Sequence, residues 1–85
     1  MATVHFIGGP DDGRKIRGEE AAYFMSEVCP QGFTCDLSIR TARLHGYKVS
    51  KISKGKYRAE HIRDFDSVVD FEYFVESGRI ERRTQ

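Results

Sequence analysis

Two β-rich runs joined by a short glycine-containing turn constrain this chain more than any other feature. The first run is YKVSKIS, residues 47–53, and the second is YRAEHI, residues 57–62, with KGK between them. β-branched and aromatic residues favour strands, and Gly55 suits the tip of a tight turn because glycine adopts positive φ readily. The pattern predicts a β-hairpin, so the fold is expected to contain an antiparallel sheet.

A second predicted hairpin lies near the N-terminus, where VHFI and RKIR flank the segment GGPDDG, residues 8–13. Val4 and Phe6 alternate with polar neighbours, as in a half-buried strand. Pro10 presets φ for a turn, the two aspartates can bond to nearby backbone amides, and Gly13 suits positive φ. The segment lacks the Lys-Ser/Thr of a phosphate-binding loop, and its acidic side chains would repel phosphate. We therefore interpret it as a turn and not as a ligand site.

Two other segments favour helices. Residues 19–28 begin with two glutamates, which suit the positive end of a helix dipole, and Pro30 is expected to end the helix. A second helix is predicted after the N-cap candidates Asp64, Asp66 and Ser67, with Phe65 packing against it from outside and Gly78 at its end.

The remaining region, residues 33–44, alternates like a strand but also fits a helical stripe, and we favour the strand. Together the elements predict the α+β class: an antiparallel sheet of three to five strands with two short helices packed on one face. The 85 residues leave room for a single core, which we assign to residues 1–78. Residues 79–85, RIERRTQ, are expected to form a charged, mobile tail.

Composition excludes several classes of protein. Charged residues make up 32% of the chain but nearly cancel, leaving a net charge of +1, so intrinsic disorder is not expected. No apolar run approaches the roughly 18 residues of a membrane-spanning helix. The N-terminus lacks a basic segment followed by a hydrophobic one, so a cytoplasmic location is expected.

The sequence predicts neither a cofactor nor an enzyme. Without a secretion signal, Cys29 and Cys35 are expected to be reduced thiols. A zinc site could be formed by four ligands, Cys29, Cys35, His45 and His61, but their spacing matches no standard zinc motif. The sequence also lacks a Gly-x-Ser-x-Gly motif, a phosphate loop and a His-Glu-x-x-His motif.

Charge is segregated along the chain, and each charged segment suggests a different partner. An acidic segment could bind a protein, and its members are Asp64, Asp66, Asp70, Glu72 and Glu76. A basic segment with tyrosines could follow a phosphate backbone and stack on bases, and its members are Arg40, Arg43, Lys48, Lys51, Lys54, Lys56, Arg58, Tyr47 and Tyr57, beside an arginine-rich tail. A third interpretation is that the acidic helix docks near the basic hairpin and neutralises it.

One resemblance bears on this choice. The segment VHFIGGPDDGRKI resembles the opening of a hairpin found in small uncharacterised proteins of bacteriophages and their bacterial hosts. In those proteins the opening is an aromatic or aliphatic residue followed by Gly-Gly-Pro-x-Asp-Gly. Those proteins often carry a later tyrosine-rich strand pair, which residues 47–62 match loosely. No functional residue carries over from this family, because it has no well-defined activity.

The resemblance implies a biological context. Small phage proteins of this kind most often bind a host macromolecule and inhibit or redirect it, and anti-defence proteins such as CRISPR inhibitors belong to this class. Many of them present acidic surfaces that mimic nucleic acid, and residues 64–76 are the segment of this chain that could do so. The expected function is therefore a non-enzymatic accessory protein that binds a host protein, with nucleic-acid binding as the alternative.

Overall fold

The computed structural model describes the backbone of residues 2–38 and 41–84, and the side chains of residues 2–38 and 41–77. Within these residues, five strands and two helices follow one another: β1 (Thr3–Ile7), β2 (Lys15–Arg17), α1 (Gly18–Ser26), β3 (Phe33–Ser38), β4 (Arg43–Ser53), β5 (Lys56–Phe65) and α2 (Val68–Thr84). A short 3-10 helix, Gly9–Asp11, lies between β1 and β2. The strands form one sheet in the order β2-β1-β5-β4-β3.

The predicted α+β class is confirmed, but the sheet is mixed and not wholly antiparallel. The pairs β1–β2, β3–β4 and β4–β5 are antiparallel, whereas β1 runs parallel to β5 with Val4 beside Tyr57. Turn residues in a sequence predict pairing only between strands that follow one another along the chain. The β1–β5 pairing joins strands near opposite ends of the sequence, so no turn signal announces it.

Both predicted hairpins are confirmed. In the first, Val4 of β1 faces Ile16 of β2, and Gly13 has a φ of 86° in the connection. In the second, β4 and β5 are joined at Gly55, which has a φ of 74°. For the ambiguous region 33–44 we favoured a strand, and this is confirmed for Phe33–Ser38, which form β3.

One apolar cluster covers the sheet face that packs against α1. Its buried members from the strands are Val4, Phe6, Ile16, Tyr47, Val49 and Ala59, and Ala21 joins them from α1. Phe24 of α1 completes an edge-to-face group with Phe6 and Tyr47, with ring centroids 5.2 and 6.3 Å away. Such aromatic pairs add about 0.5–1.5 kcal/mol beyond the burial of their area, so α1 is firmly seated here.

A second cluster lies on the opposite face of the sheet and packs against α2. Phe65, Phe71 and Val75 are its buried members, with Phe33, Cys35, Leu44 and Phe74 packed against them. Leu44 and His45 are neighbours on β4 and therefore point to opposite faces. The prediction that both helices pack on one face is wrong, because β4 and β5 carry large side chains on both faces and each face needs its own cover.

The start of α2 confirms the predicted cap, and its end does not fall where expected. The Ser67 hydroxyl accepts a hydrogen bond from the Asp70 backbone N–H at 3.2 Å, and the Phe65 ring packs 5.3 Å from that of Phe71. The helix continues through Gly78 to Thr84, so Gly78 is not its C-terminal glycine. The side chains of the predicted tail lie outside the described residues, and its mobility stays a prediction.

Candidate functional site

The acidic residues singled out in the sequence divide into two groups. Asp66, Asp70, Glu72 and Glu76 are exposed at the start and on the outer side of α2. Asp64 belongs to β5 and turns towards two histidines, so it is not part of the acidic helix surface. The predicted five-residue acidic face is thus a four-residue face.

Two apolar side chains share the outer surface of α2 with these acids. Val69 and Tyr73 lie one helical turn apart and are 71% and 73% exposed. Phe71 and Val75 point the other way into the core, so the exposed pair forms a stripe along the side of α2 that faces away from the sheet. We call Val69, Tyr73 and the acidic residues 66, 70, 72 and 76 the outer α2 face.

Several of the basic residues already have partners within the protein. Lys48 donates a hydrogen bond to the Gln31 carbonyl at 2.9 Å and lies 4.6 Å from the centre of the Phe33 ring. Arg58 pairs with Glu60 at 2.9 Å. Arg43 lies near Asp64, and Arg40 lies outside the described residues.

Lys51, Lys54 and Lys56 remain exposed around the tip of the β4–β5 hairpin.

Tyr47 is fully buried, so its predicted role in stacking on bases is wrong. It lies on the α1 side of the sheet, where its hydroxyl donates a hydrogen bond to Asp11 Oδ2 at 3.1 Å. Burial and the neighbouring Asp11 carboxylate raise the pKa of Tyr47 well above its usual range, so it remains a donor. Tyr57 is half-buried against the same cluster. The alternation of β4 directs Tyr47 inward, which the aromatic content of the hairpin did not reveal.

His45, His61 and Asp64 form a compact polar group. The Asp64 Oδ1 atom lies 2.6 Å from Nδ1 of His45 and 2.9 Å from Nε2 of His61. His45 is 2% exposed, while the side chains of His61 and Asp64 are 19% and 29% exposed. The group therefore has one buried member and an edge that reaches the surface. We call it the His–Asp cluster.

Further polar atoms surround the His–Asp cluster. Nε2 of His45 lies 3.1 Å from the hydroxyl of Thr41, and Nε of Arg43 lies 3.4 Å from Oδ2 of Asp64. Hydrogen bonds from both histidines hold the pKa of Asp64 below its usual range, so the carboxylate is ionised at neutral pH. Oδ1 of Asp64 therefore contacts both histidines, and Oδ2 faces Arg43.

The GGPDDG segment is a turn, as predicted, and it also packs against the His–Asp cluster. Asp12 Oδ1 accepts a hydrogen bond from the Gly8 backbone N–H at 2.7 Å and closes the loop. Gly9 has a φ of 69°, and a Cβ there would lie 2.6 Å from Cγ of His61. Glycine is required at this position because the backbone passes directly over the imidazole.

The zinc set imagined from the sequence does not assemble. Cys35 is opposite Gly46 in the β3–β4 pairing and faces α2, whereas His45 faces the other side of the sheet. Cys29 and Cys35 are both free thiols. Burial is the main cause that raises the pKa of Cys35, so it is a poor metal ligand.

Sequence reasoning missed Asp64 and Thr41 as partners of the histidines. The spacing His61-x-x-Asp64 was a usable signal, because a bulge or turn can bring such residues together. His45 joins them only because the β4–β5 register places it opposite Asp64. No sequence motif records that register.

Comparison with known proteins gives no family for this chain. No protein-family model, no curated protein sequence and no solved structure matches it. Among the described residues, none of the helices is both long enough and apolar enough to cross a membrane.

Proposed function

We propose that this protein is a small, non-enzymatic accessory protein that binds a partner protein through the outer α2 face and modulates it. The observation that carries the proposal is the exposure of Val69 and Tyr73, at 71% and 73%, on a helix whose other side is seated in the core. The proposed partner surface is basic with an apolar centre. The resemblance to phage proteins makes a host protein, including a defence protein, the first partner to test.

The composition of the outer α2 face supports this proposal. Protein interfaces combine an apolar centre with a polar rim, and tyrosine is enriched among the residues that contribute most binding energy. Tyr73 and Val69 supply such a centre, with Asp70 on one side of it and Glu72 on the other. Acidic side chains at the rim would accelerate encounter with a basic partner and select against acidic ones.

The size of the face sets the expected strength of binding. One helical stripe buries less surface than the roughly 1,200–2,000 Å² of a stable, specific complex. The helix is already folded and packed, however, so binding costs little ordering entropy. We therefore expect a transient complex.

The experiment compares capture by four forms of the immobilised protein from a bacterial lysate, with and without nuclease. The wild type is compared with a double charge reversal, Asp70→Lys with Glu72→Lys, and with Tyr73→Ala. The matched control is Lys54→Glu with Lys56→Glu, which reverses two charges on the hairpin tip. Circular dichroism establishes that all forms are folded.

A stoichiometric protein that survives nuclease, is lost from both α2 variants and is retained by the hairpin control supports the proposal. Truncating Tyr73 is expected to cost about 2 kcal/mol or more of binding free energy if it is a central contact. Capture that disappears with nuclease and with the hairpin variant, but not with the α2 variants, would overturn it. Binding would then belong to the nucleic-acid alternative and to Lys51, Lys54 and Lys56.

A further inference from the structure

The His–Asp cluster brings three metal-binding atoms to one point in the fold. Each of the three residues offers one ligand atom, and these atoms lie within 4.8 Å of one another. The ring nitrogens nearest Oδ1 of Asp64 are Nδ1 of His45 and Nε2 of His61. Two imidazole nitrogens and one carboxylate oxygen are a common ligand set for zinc. His45 and Asp64 are paired directly across β4 and β5, and a shift of register at Gly46/Tyr47 separates that pair from His61, which is opposite Tyr47.

We propose that His45, His61 and Asp64 form a binding site for a divalent transition metal ion of the zinc type. Ligand atoms around tetrahedral zinc stand about 3.3 Å apart, as follows from zinc–ligand distances of about 2.0–2.2 Å. Asp64 Oδ1 lies closer than this to both histidines, at 2.6 and 2.9 Å. Oδ1 therefore has to retreat by about 0.4–0.7 Å to admit the ion, and Asp64, 29% exposed, is the most exposed member of the cluster.

The atoms behind the ligands are suited to a metal site. A metal-binding histidine usually donates its other ring N–H to a fixed acceptor, which orients the ring. The Thr41 hydroxyl is placed for this role, 3.1 Å from Nε2 of His45. A hydroxyl both donates and accepts. It can donate to Nε2 when Nδ1 is bonded to Asp64, and accept from Nε2–H when Nδ1 binds the metal.

Asp64 and His61 are supported in a similar way. Arg43 lies 3.4 Å from Oδ2 of Asp64, which leaves Oδ1 to face the ion. Gly9 passes over the His61 ring and limits its rotation. Within the described residues the cluster has three members, so a fourth coordination position is left for water at its exposed edge. Three protein ligands and one open position describe an accessible zinc site.

The cluster also has a purely structural explanation, in which the two histidines and the aspartate simply satisfy one another at the edge of the core. The two explanations make different predictions about metal. A structural network binds no zinc with defined stoichiometry, whereas a site with three oriented ligands binds one ion per chain.

The test is equilibrium dialysis of the full chain against Zn²⁺, with bound metal measured per chain. We expect one zinc ion at micromolar free zinc, and a loss of about tenfold or more in affinity for His61→Gln and Asp64→Asn. Thr41→Val should weaken zinc about tenfold, and Thr41→Ser, which keeps the hydroxyl, should not. The matched controls are His5→Gln and the double variant Cys29→Ser with Cys35→Ser, which should bind zinc like the wild type.

A second measurement uses the wild type and does not depend on the folding of any variant. Histidine side-chain ¹⁵N spectra, recorded with and without one equivalent of Zn²⁺, should show coordination at Nδ1 of His45 and at Nε2 of His61, with His5 unchanged. The proposal is overturned if zinc leaves both rings unchanged, if it binds at His5, or if the cysteine variant abolishes binding.

Discussion

Gly46 lets the Phe65 ring lie directly against β4, and Gly46→Ala should therefore destabilise the fold. An alanine Cβ at this position would collide with the ring of Phe65 and would lie 3.1 Å from the Arg63 carbonyl oxygen. Phe65 cannot easily move, because Phe71 and Phe74 pack against it with ring centroids 5.3 and 5.4 Å away.

The magnitude follows from two opposing effects. An extra methyl group in a well-packed core costs about 1–3 kcal/mol, and less when neighbours can shift. Replacing glycine inside a strand returns about 0.5–1 kcal/mol by restricting the unfolded chain. Because the nearest neighbours are a clamped ring and a backbone carbonyl, we expect a net loss of about 2 kcal/mol from the free energy of unfolding. A domain of 85 residues has about 4–13 kcal/mol in total.

The assay is urea denaturation followed by far-UV circular dichroism, applied to a double-mutant cycle with Phe65→Leu. The smaller leucine leaves space for the methyl group, so Gly46→Ala should cost at least about 1 kcal/mol less in that background. Gly13→Ala is the control: it meets no atom within 4 Å but has a φ of 86°, so its cost arises from backbone strain and should be the same in both backgrounds. Costs for Gly46→Ala that agree within about 0.5 kcal/mol in the two backgrounds would refute the explanation.

Two further predictions concern the pH dependence of stability. Because the pKa of Tyr47 is raised in the fold, stability should be intact below its usual value of about 10 and fall at higher pH, and Tyr47→Phe should remove that fall. The same substitution should cost about 1–2 kcal/mol at neutral pH by removing the hydrogen bond to Asp11, as measured by urea denaturation. Because the pKa of Asp64 is lowered in the fold, its contribution should be present above pH 3.8, its usual pKa, and be lost as the solution is acidified below it. Asp64→Asn should make acid unfolding less steep, and an unchanged acid transition would contradict the two histidine hydrogen bonds.

The proposed partner face and the proposed metal site are structurally separate. The outer α2 face lies on one side of the sheet, and the His–Asp cluster lies on the side covered by α1, beside the first apolar cluster. Substitutions in one should therefore leave the other intact. Zinc binding that persists in Tyr73→Ala, and partner capture that persists in His61→Gln, would establish this independence.

The sequence by itself determined the local elements of this fold. Alternating residues and glycines at 13 and 55 were sufficient to predict both hairpins. The N-cap candidates Asp64, Asp66 and Ser67 predicted where α2 begins to within a few residues, and the structure shows that Ser67 is the cap. These features depend on backbone preferences and on contacts between residues close in the chain, which a sequence pattern displays directly.

Only the tertiary structure decided which elements meet. It placed β1 beside β5, put α1 and α2 on opposite faces, buried Tyr47 and joined His45 to Asp64 across two strands. Each of these outcomes depends on register or packing between segments far apart in the chain. Several arrangements share the same local pattern, and the one adopted is selected by how completely both faces of the sheet can be buried.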